Sequence, residues 1–68
     1  DYTPLINAIK ELPPRMAAVI QLQYYESLSY KEISERLGIT VKAVESLLVR
    51  ARKILRKKLV KEIEGMGV

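Results

Sequence analysis

The amino-acid sequence predicts an all-α fold, a four-helix domain that contains a helix-turn-helix and ends in a long recognition helix. Apolar residues recur at spacings of three and four along the chain, as in amphipathic helices. Pro, Gly and Ser residues fall between these stretches, and no stretch has the alternation typical of a strand. With 68 residues, of which 49% are hydrophobic, the chain can form one small domain, which we place at residues 1–68.

The first helix is predicted from an N-cap and a proline. Thr3 followed by Pro4 fits an N-cap with Pro at the first helical position, and the helix should end at about Glu11. The sequence Leu12-Pro13-Pro14 interrupts it, because proline disfavours helical geometry in the residue that precedes it.

Pro14 can start the second helix, which we expect to reach about Glu26. This helix is apolar over a broad face, so it should lie deep in the core. Of its two adjacent tyrosines, Tyr24 and Tyr25, we expect one in the core and one at the surface.

The third helix begins at a capping box. The Ser29 side chain can accept a hydrogen bond from the backbone of Glu32, whose carboxylate can reach back to Ser29. Ile33 and Leu37 share one face, and Gly38 can supply the left-handed residue that ends the helix.

The fourth helix begins after Thr40, a plausible N-cap, and continues to about Glu64. One side of it is an apolar stripe. The stripe consists of Val44, Leu47, Leu48, Ala51, Ile54 and Leu55.

Gly38 sets a helix-turn-helix register. Ser34, four residues earlier, is small where two helices must approach closely, and Val44 and Leu47 are inward-facing residues of the next helix. The pattern predicts a support helix at about 30–37, a turn at 38–40 and a recognition helix at about 41–64, whose first turns can enter a major groove. An α-helical hairpin in an ordinary bundle would share this pattern.

The net charge of +4 is unevenly distributed. Residues 1–29 carry two Lys/Arg and three Asp/Glu, whereas residues 30–68 carry ten and five. All the excess positive charge therefore lies in the second half. This indicates a polyanionic partner, either nucleic acid or an anionic membrane surface, or alternatively a solvated lysine-rich helix face.

Composition argues against other classes. The chain has no Cys and no His, so it lacks disulfides, the common zinc ligands and the usual nucleophile–base pairs. An enzyme would depend on carboxylates, Lys, Tyr or Ser alone. We therefore expect no enzymatic activity, cofactor, metal or small-molecule substrate. No apolar run approaches the roughly 20 residues that span a membrane, so no membrane partner is expected. Because the sequence begins with Asp1 rather than Met, we expect a fragment of a longer protein.

A longer string is more specific than the helix-turn-helix pattern. Residues 12–59, LPPRMAAVIQLQYYESLSYKEISERLGITVKAVESLLVRARKILRKKL, contain an opening Leu-Pro-Pro-Arg, a central Leu-Ser-Tyr-Lys-Glu-Ile, the turn Leu-Gly-Ile-Thr and a closing Arg-Ala-Arg-Lys-Ile-Leu. This string resembles region 4 of bacterial sigma factors of the extracytoplasmic-function type. The resemblance covers 48 of the 68 residues. Helix-turn-helix domains of the response-regulator type lack the Leu-Pro-Pro opening.

The resemblance implies a function. Region 4 reads the −35 element of double-stranded promoter DNA with its last helix while it is bound to the β-subunit flap of the RNA polymerase core. It directs transcription initiation in the bacterial cytoplasm without chemistry of its own. Many such factors are also held by an anti-sigma factor.

The groove-facing positions of the family fall on one side of the fourth helix. The periodicity supports the same choice, because these positions lie opposite the apolar stripe. The expected base-contacting residues are Lys42, Ala43, Glu45, Ser46, Val49 and Arg50. Arg50 can bind guanine O6 and N7 or a phosphate, and Val49 can contact a thymine methyl group.

Other residues are candidates for contacts with DNA phosphates. Tyr30, Lys31 and Thr40 lie near helix N-termini, where free N–H groups favour anions. Gln23 occupies a position where the family often has a phosphate-binding Arg, so a charge is missing there. The full set is Gln23, Tyr30, Lys31, Thr40, Arg52 and Lys53.

Glu45 and Leu47 stand where the family commonly has basic residues. A carboxylate in the groove can accept a hydrogen bond from cytosine N4. Alternatively, Glu45 pairs with Lys42 or Arg52, or is simply solvated. Two other functions stay open: a sigma-like module that binds an anti-sigma factor without reading DNA, or a different helix-turn-helix transcription regulator.

Overall fold

The computed structural model describes residues 3–65, with side chains described as far as residue 61. Over this range the chain is four helices without a strand, which confirms the all-α prediction. The helices are α1 (Thr3–Lys10), α2 (Pro14–Tyr24), α3 (Tyr30–Leu37) and α4 (Val41–Gly65). The second helix ends two residues earlier than predicted. The longest dimension is 43 Å, because 25 residues of α4 alone extend about 37 Å.

The core is built around α4, which packs against each of the other three helices. Its buried residues Val44, Leu48, Ala51 and Leu55 recur at spacings of three and four and belong to the predicted stripe. The other two predicted members, Leu47 and Ile54, are half-buried and pack against this core. The stripe meets three buried side chains of α2, as expected for a helix deep in the core. These are Val19, Ile20 and Leu22.

The connection from α2 to α3 contains the capping box. Ser29 Oγ accepts from the backbone N–H of Glu32 at 3.1 Å, and Glu32 Oε1 accepts from the backbone N–H of Ser29 at 2.9 Å. These hydrogen bonds to Ser29, led by the one from its backbone, hold the pKa of Glu32 below its usual value, because they stabilise the charged carboxylate. The start of α3 is therefore fixed by local chemistry.

The turn between α3 and α4 is closed at both ends. Gly38 has a left-handed backbone (φ 69°), and the N–H groups of Gly38 and Ile39 both donate to the Ser34 carbonyl. On the other side, Thr40 Oγ1 accepts from the Ala43 N–H at 3.0 Å, as an N-cap does. Ser34 is buried, as predicted for the close approach of the two helices.

Replacing Gly38 by alanine should lower the free energy of unfolding by about 1–2 kcal/mol, because L-residues with a Cβ are strained in left-handed geometry. A Cβ at this position has no neighbour within 4 Å, so the loss is a backbone effect without a clash. Urea denaturation of Gly38→Ala and Gly38→Asn tests this. Asparagine tolerates the left-handed region and should lose less. Equal losses for both variants would contradict the backbone explanation.

The prediction for Tyr24 and Tyr25 is wrong. Both side chains are exposed, at 58% and 63%. Tyr24 follows Ile20 by one turn on the same side of α2, but beyond Ile20 the space between the helices widens into an open groove that both tyrosines line. Neither ring therefore lies in the core.

Candidate nucleic-acid interface

The side of α4 opposite the core is exposed in its first three turns. Val44, Leu48 and Ala51 point inward, so the residues between them point to solvent. Five exposed side chains line one shallow surface, which we call the α4 face. They are Lys42, Glu45, Ser46, Val49 and Arg50. The structure thus brings together five of the six residues that the sequence predicts to contact bases.

The sixth residue, Ala43, lies at the edge of this surface. It is half-buried, and its N–H is capped by Thr40. Leu47 is also half-buried and packs against the core. Leu47 therefore lies outside the α4 face. The lack of a basic residue at this position does not change the charge of the α4 face.

Glu45 has no internal partner among the described residues. The ion pairs observed there are Arg36–Glu26 at 3.6 Å and Lys58–Glu11 at 2.7 Å. Glu45 pairs with neither Lys42 nor Arg52. Its carboxylate is therefore solvated and free to meet a ligand.

Arg52 is held by neutral side chains from other helices. Its Nη2 donates to Gln23 Oε1 at 3.0 Å, and its Nε donates to the Tyr24 hydroxyl at 3.3 Å. The hydroxyl groups of Tyr24 and then of Tyr30 raise the pKa of Arg52. Three residues predicted separately for phosphate contact, Gln23, Tyr30 and Arg52, thus form one cluster. No carboxylate hydrogen-bonds to Arg52 within the described residues, so its charge is oriented without being neutralised.

The remaining predicted phosphate-contacting residues are separate from this cluster. Lys31 and Thr40 are exposed in the first turn of α3 and at the N-cap of α4. Lys53 lines a second shallow surface with Val49, Arg52 and Arg56, which adjoins the α4 face at Val49. Arg56 was not among the predicted DNA-contacting residues, although its spacing of three and four residues from Lys53 and Arg52 places it on their side of the helix.

A distinct apolar groove lies between α1, α2 and the second half of α4. It encloses about 470 Å³. Its lining consists of Leu5, Ile9, Ile20, Tyr24, Tyr25, Arg52, Leu55, Arg56, Leu59 and Val60. No sequence motif predicts this groove, because it depends on how α1 packs beside α4.

The part of the chain that the structure describes contains neither a metal site nor a membrane-spanning helix. Over residues 3–61 no group of acidic side chains is arranged to hold a metal ion. None of the four helices, over the residues described, is long and apolar enough to cross a membrane.

The α3–turn–α4 unit, with an exposed face on its second helix, defines a DNA-binding domain of the helix-turn-helix class. Within that class, the chain belongs to the family described as Sigma-70, region 4, which matches residues 2–55.

Curated relatives carry the same assignment. The chain is 40% identical over 60 residues to RNA polymerase sigma factor SigV of Bacillus subtilis (strain 168), with 88% of the chain and 36% of the relative covered. It is 35% identical over 60 residues to RNA polymerase sigma-E factor of Streptomyces coelicolor, with 88% and 34% covered. To RNA polymerase sigma-E factor of Streptomyces antibioticus it is 36% identical over 59 residues, with 87% and 33% covered. The chain therefore spans about a third of the length of these relatives. No solved structure matches it significantly.

These findings confirm the resemblance to region 4 of sigma factors of the extracytoplasmic-function type. The family has a role in promoter recognition and transcription initiation, and it is not enzymatic.

Proposed function

We propose that this domain binds the −35 element of promoter DNA by inserting the α4 face into the major groove, as part of RNA polymerase holoenzyme in the bacterial cytoplasm. One observation carries the proposal: five exposed side chains line one surface of α4, and neither Lys42 nor Arg50 has a carboxylate partner among the described residues. Donors that are not satisfied internally are available to bases and phosphates.

The helix-turn-helix geometry supports this mode of binding. The major groove is about 12 Å wide and accepts an α-helix about 10–12 Å across. α3 packs against α4 through buried Ile33 and leaves the opposite side of α4 open. The first three turns of α4 can therefore enter the groove while α3 supports them from outside.

Chemistry divides the roles on the α4 face. Arg50 can donate two parallel hydrogen bonds to guanine O6 and N7, and Val49, 62% exposed, can contact a thymine methyl group. Ser46 and Lys42, one turn apart, can reach base edges or phosphates. Arg52, Lys53 and Arg56 add positive charge within about two turns after Arg50, where α4 would leave the groove beside the phosphate backbone.

The apolar groove is evidence for a protein partner that binds the domain at the same time as DNA. Its apolar lining comes from α1, α2 and the second half of α4, and it shares no residue with the α4 face. Arg52 and Arg56 lie at its border and also line the basic surface assigned to DNA phosphates. We assign this groove to the RNA polymerase core, through the β-subunit flap. An anti-sigma factor would regulate the domain by covering the groove or the α4 face.

A second candidate is a module that binds an anti-sigma factor and does not read DNA. Two features favour this candidate. The Glu45 carboxylate on the α4 face repels DNA phosphates, and the apolar groove is suited to a protein partner. This second candidate predicts that the domain binds an anti-sigma factor tightly and binds DNA duplexes of different sequence with equal affinity.

Selection of duplexes from a random pool, with the chain alone and with added RNA polymerase core, separates the two candidates. We expect an enriched sequence that binds more tightly than its scrambled version. Affinity should fall with salt, with a slope in log–log form of about −0.9 for each phosphate neutralised, because bound phosphates release counterions. No enrichment in either arm would overturn the DNA-reading proposal and leave the protein-binding module.

A further inference from the structure

Glu45 is the one carboxylate among the five residues that line the α4 face. We propose that Glu45 selects a cytosine, at a base pair other than the one that Arg50 contacts. This inference rests on the proposed reading of duplex DNA by α4 and adds to it a specific base.

The structure leaves the Glu45 carboxylate unpaired. Its possible internal partners are Lys42 and Arg52, and neither bonds to it: Arg52 is held by Gln23 and Tyr24 across the interface with α2. A carboxylate that enters the groove without an internal partner must find a donor on the DNA, because burying an unpaired charge is strongly unfavourable.

Base edges in the major groove offer such a donor selectively. Guanine presents two acceptors, N7 and O6, and thymine presents the acceptor O4, so each repels a carboxylate. Adenine presents a donor at N6 beside the acceptor N7. Cytosine presents its N4 amino group as a donor without an acceptor of its own. Glu45 therefore favours cytosine and disfavours guanine and thymine in particular.

The position of Glu45 on the helix separates it from Arg50. Glu45 and Arg50 are five residues apart, about 7.5 Å along the helix axis and roughly 140° around it. Two side chains so far apart on one helix in the major groove face different base pairs, because base pairs are stacked only about 3.4 Å apart. Val49 and Ser46 lie between them around the helix, in the middle of the α4 face.

The test starts from the duplex that the wild-type chain selects, with polymerase core present. Each base pair is replaced in turn, and affinities are measured for wild type, Glu45→Gln and Glu35→Gln. Glu35 is an exposed carboxylate on α3 outside the α4 face, so Glu35→Gln matches the charge change without touching the proposed contact. At the base pair that Glu45 contacts, wild type should bind the duplex with cytosine roughly 5- to 150-fold more tightly than the duplexes with guanine or thymine. Glu45→Gln should lose most of this preference and should bind the duplexes with guanine or thymine there more tightly than wild type does.

A chemical change in the DNA tests the same contact from the other side. Replacing the selected cytosine by 2-pyrimidinone removes only the N4 amino group. Wild type and Glu35→Gln should lose affinity, while Glu45→Gln should be much less affected. Circular dichroism of each variant checks that the fold is retained.

The failures are distinguishable. If wild type selects no sequence, the proposed function fails and this inference with it. If wild type selects a sequence and Glu45→Gln tightens binding to all duplexes by the same factor as Glu35→Gln, the cytosine contact is wrong and the DNA-reading proposal stands. A cytosine preference that depends on Glu45 but lies at the same base pair as the one affected by Arg50→Ala would contradict the assignment of the two side chains to different base pairs.

Discussion

Leu48→Ala is expected to remove a large part of the stability of the domain. Leu48 is fully buried in the first half of α4, among side chains of the other helices. Truncating a buried leucine costs about 2–5 kcal/mol, from lost apolar burial and from the cavity left behind. A domain of 68 residues has a total stability of only about 3–10 kcal/mol. Thermal unfolding followed by circular dichroism should show a midpoint lower by roughly 10–40 °C.

Val49→Ala is the matched control for this substitution. Val49 is the next residue of α4 but points to solvent, so its truncation should change the free energy of unfolding by less than about 0.5 kcal/mol. Equal destabilisation by the two substitutions would mean that α4 is not oriented as described, with Leu48 inward and Val49 outward.

Arg50→Ala is expected to have the largest effect on DNA binding. Loss of a bidentate contact to guanine costs about 1–3 kcal/mol, or roughly 5- to 150-fold in affinity. The loss should be confined to duplexes that carry the preferred base pair at one position. Arg50→Lys keeps the charge but not the planar fork of donors, so it should recover part of the affinity and little of the specificity. Measured affinities for the selected duplex and its single-base variants test both.

Arg15→Ala serves as the control for charge. Arg15 is exposed in the first turn of α2 and lines neither the α4 face nor the basic surface beyond it, so its removal should change affinity only slightly. A uniform loss of affinity across all duplexes for Arg50→Ala would place Arg50 on a phosphate rather than on a base.

Arg52 shows what the structure adds to a prediction from the sequence. The sequence placed it among the residues that contact phosphates, which stays a prediction. The structure adds that Gln23 and Tyr24 orient its guanidinium, so Arg52 also ties α4 to α2. An arginine held in this way is pre-ordered for an anion, because its side chain loses less freedom on binding. Gln23 carries no charge of its own, but its side-chain oxygen accepts a hydrogen bond that orients the charged guanidinium of Arg52.

The sequence by itself determined the helices, the caps at the starts of α3 and α4, and the side of α4 that meets solvent. These features are local: a capping box joins residues three apart, a left-handed glycine acts at one position, and a helix face repeats every 3.6 residues. The family followed in the same way, from contiguous motifs. The tertiary structure alone decided that Glu45 is unpaired, that Tyr24 and Tyr25 are both exposed, and that an apolar groove opens beside α1. It also brought Arg52 to partners 28 and 29 residues away. Such contacts depend on how whole helices pack, and no spacing along the chain encodes the angle and distance between two helices.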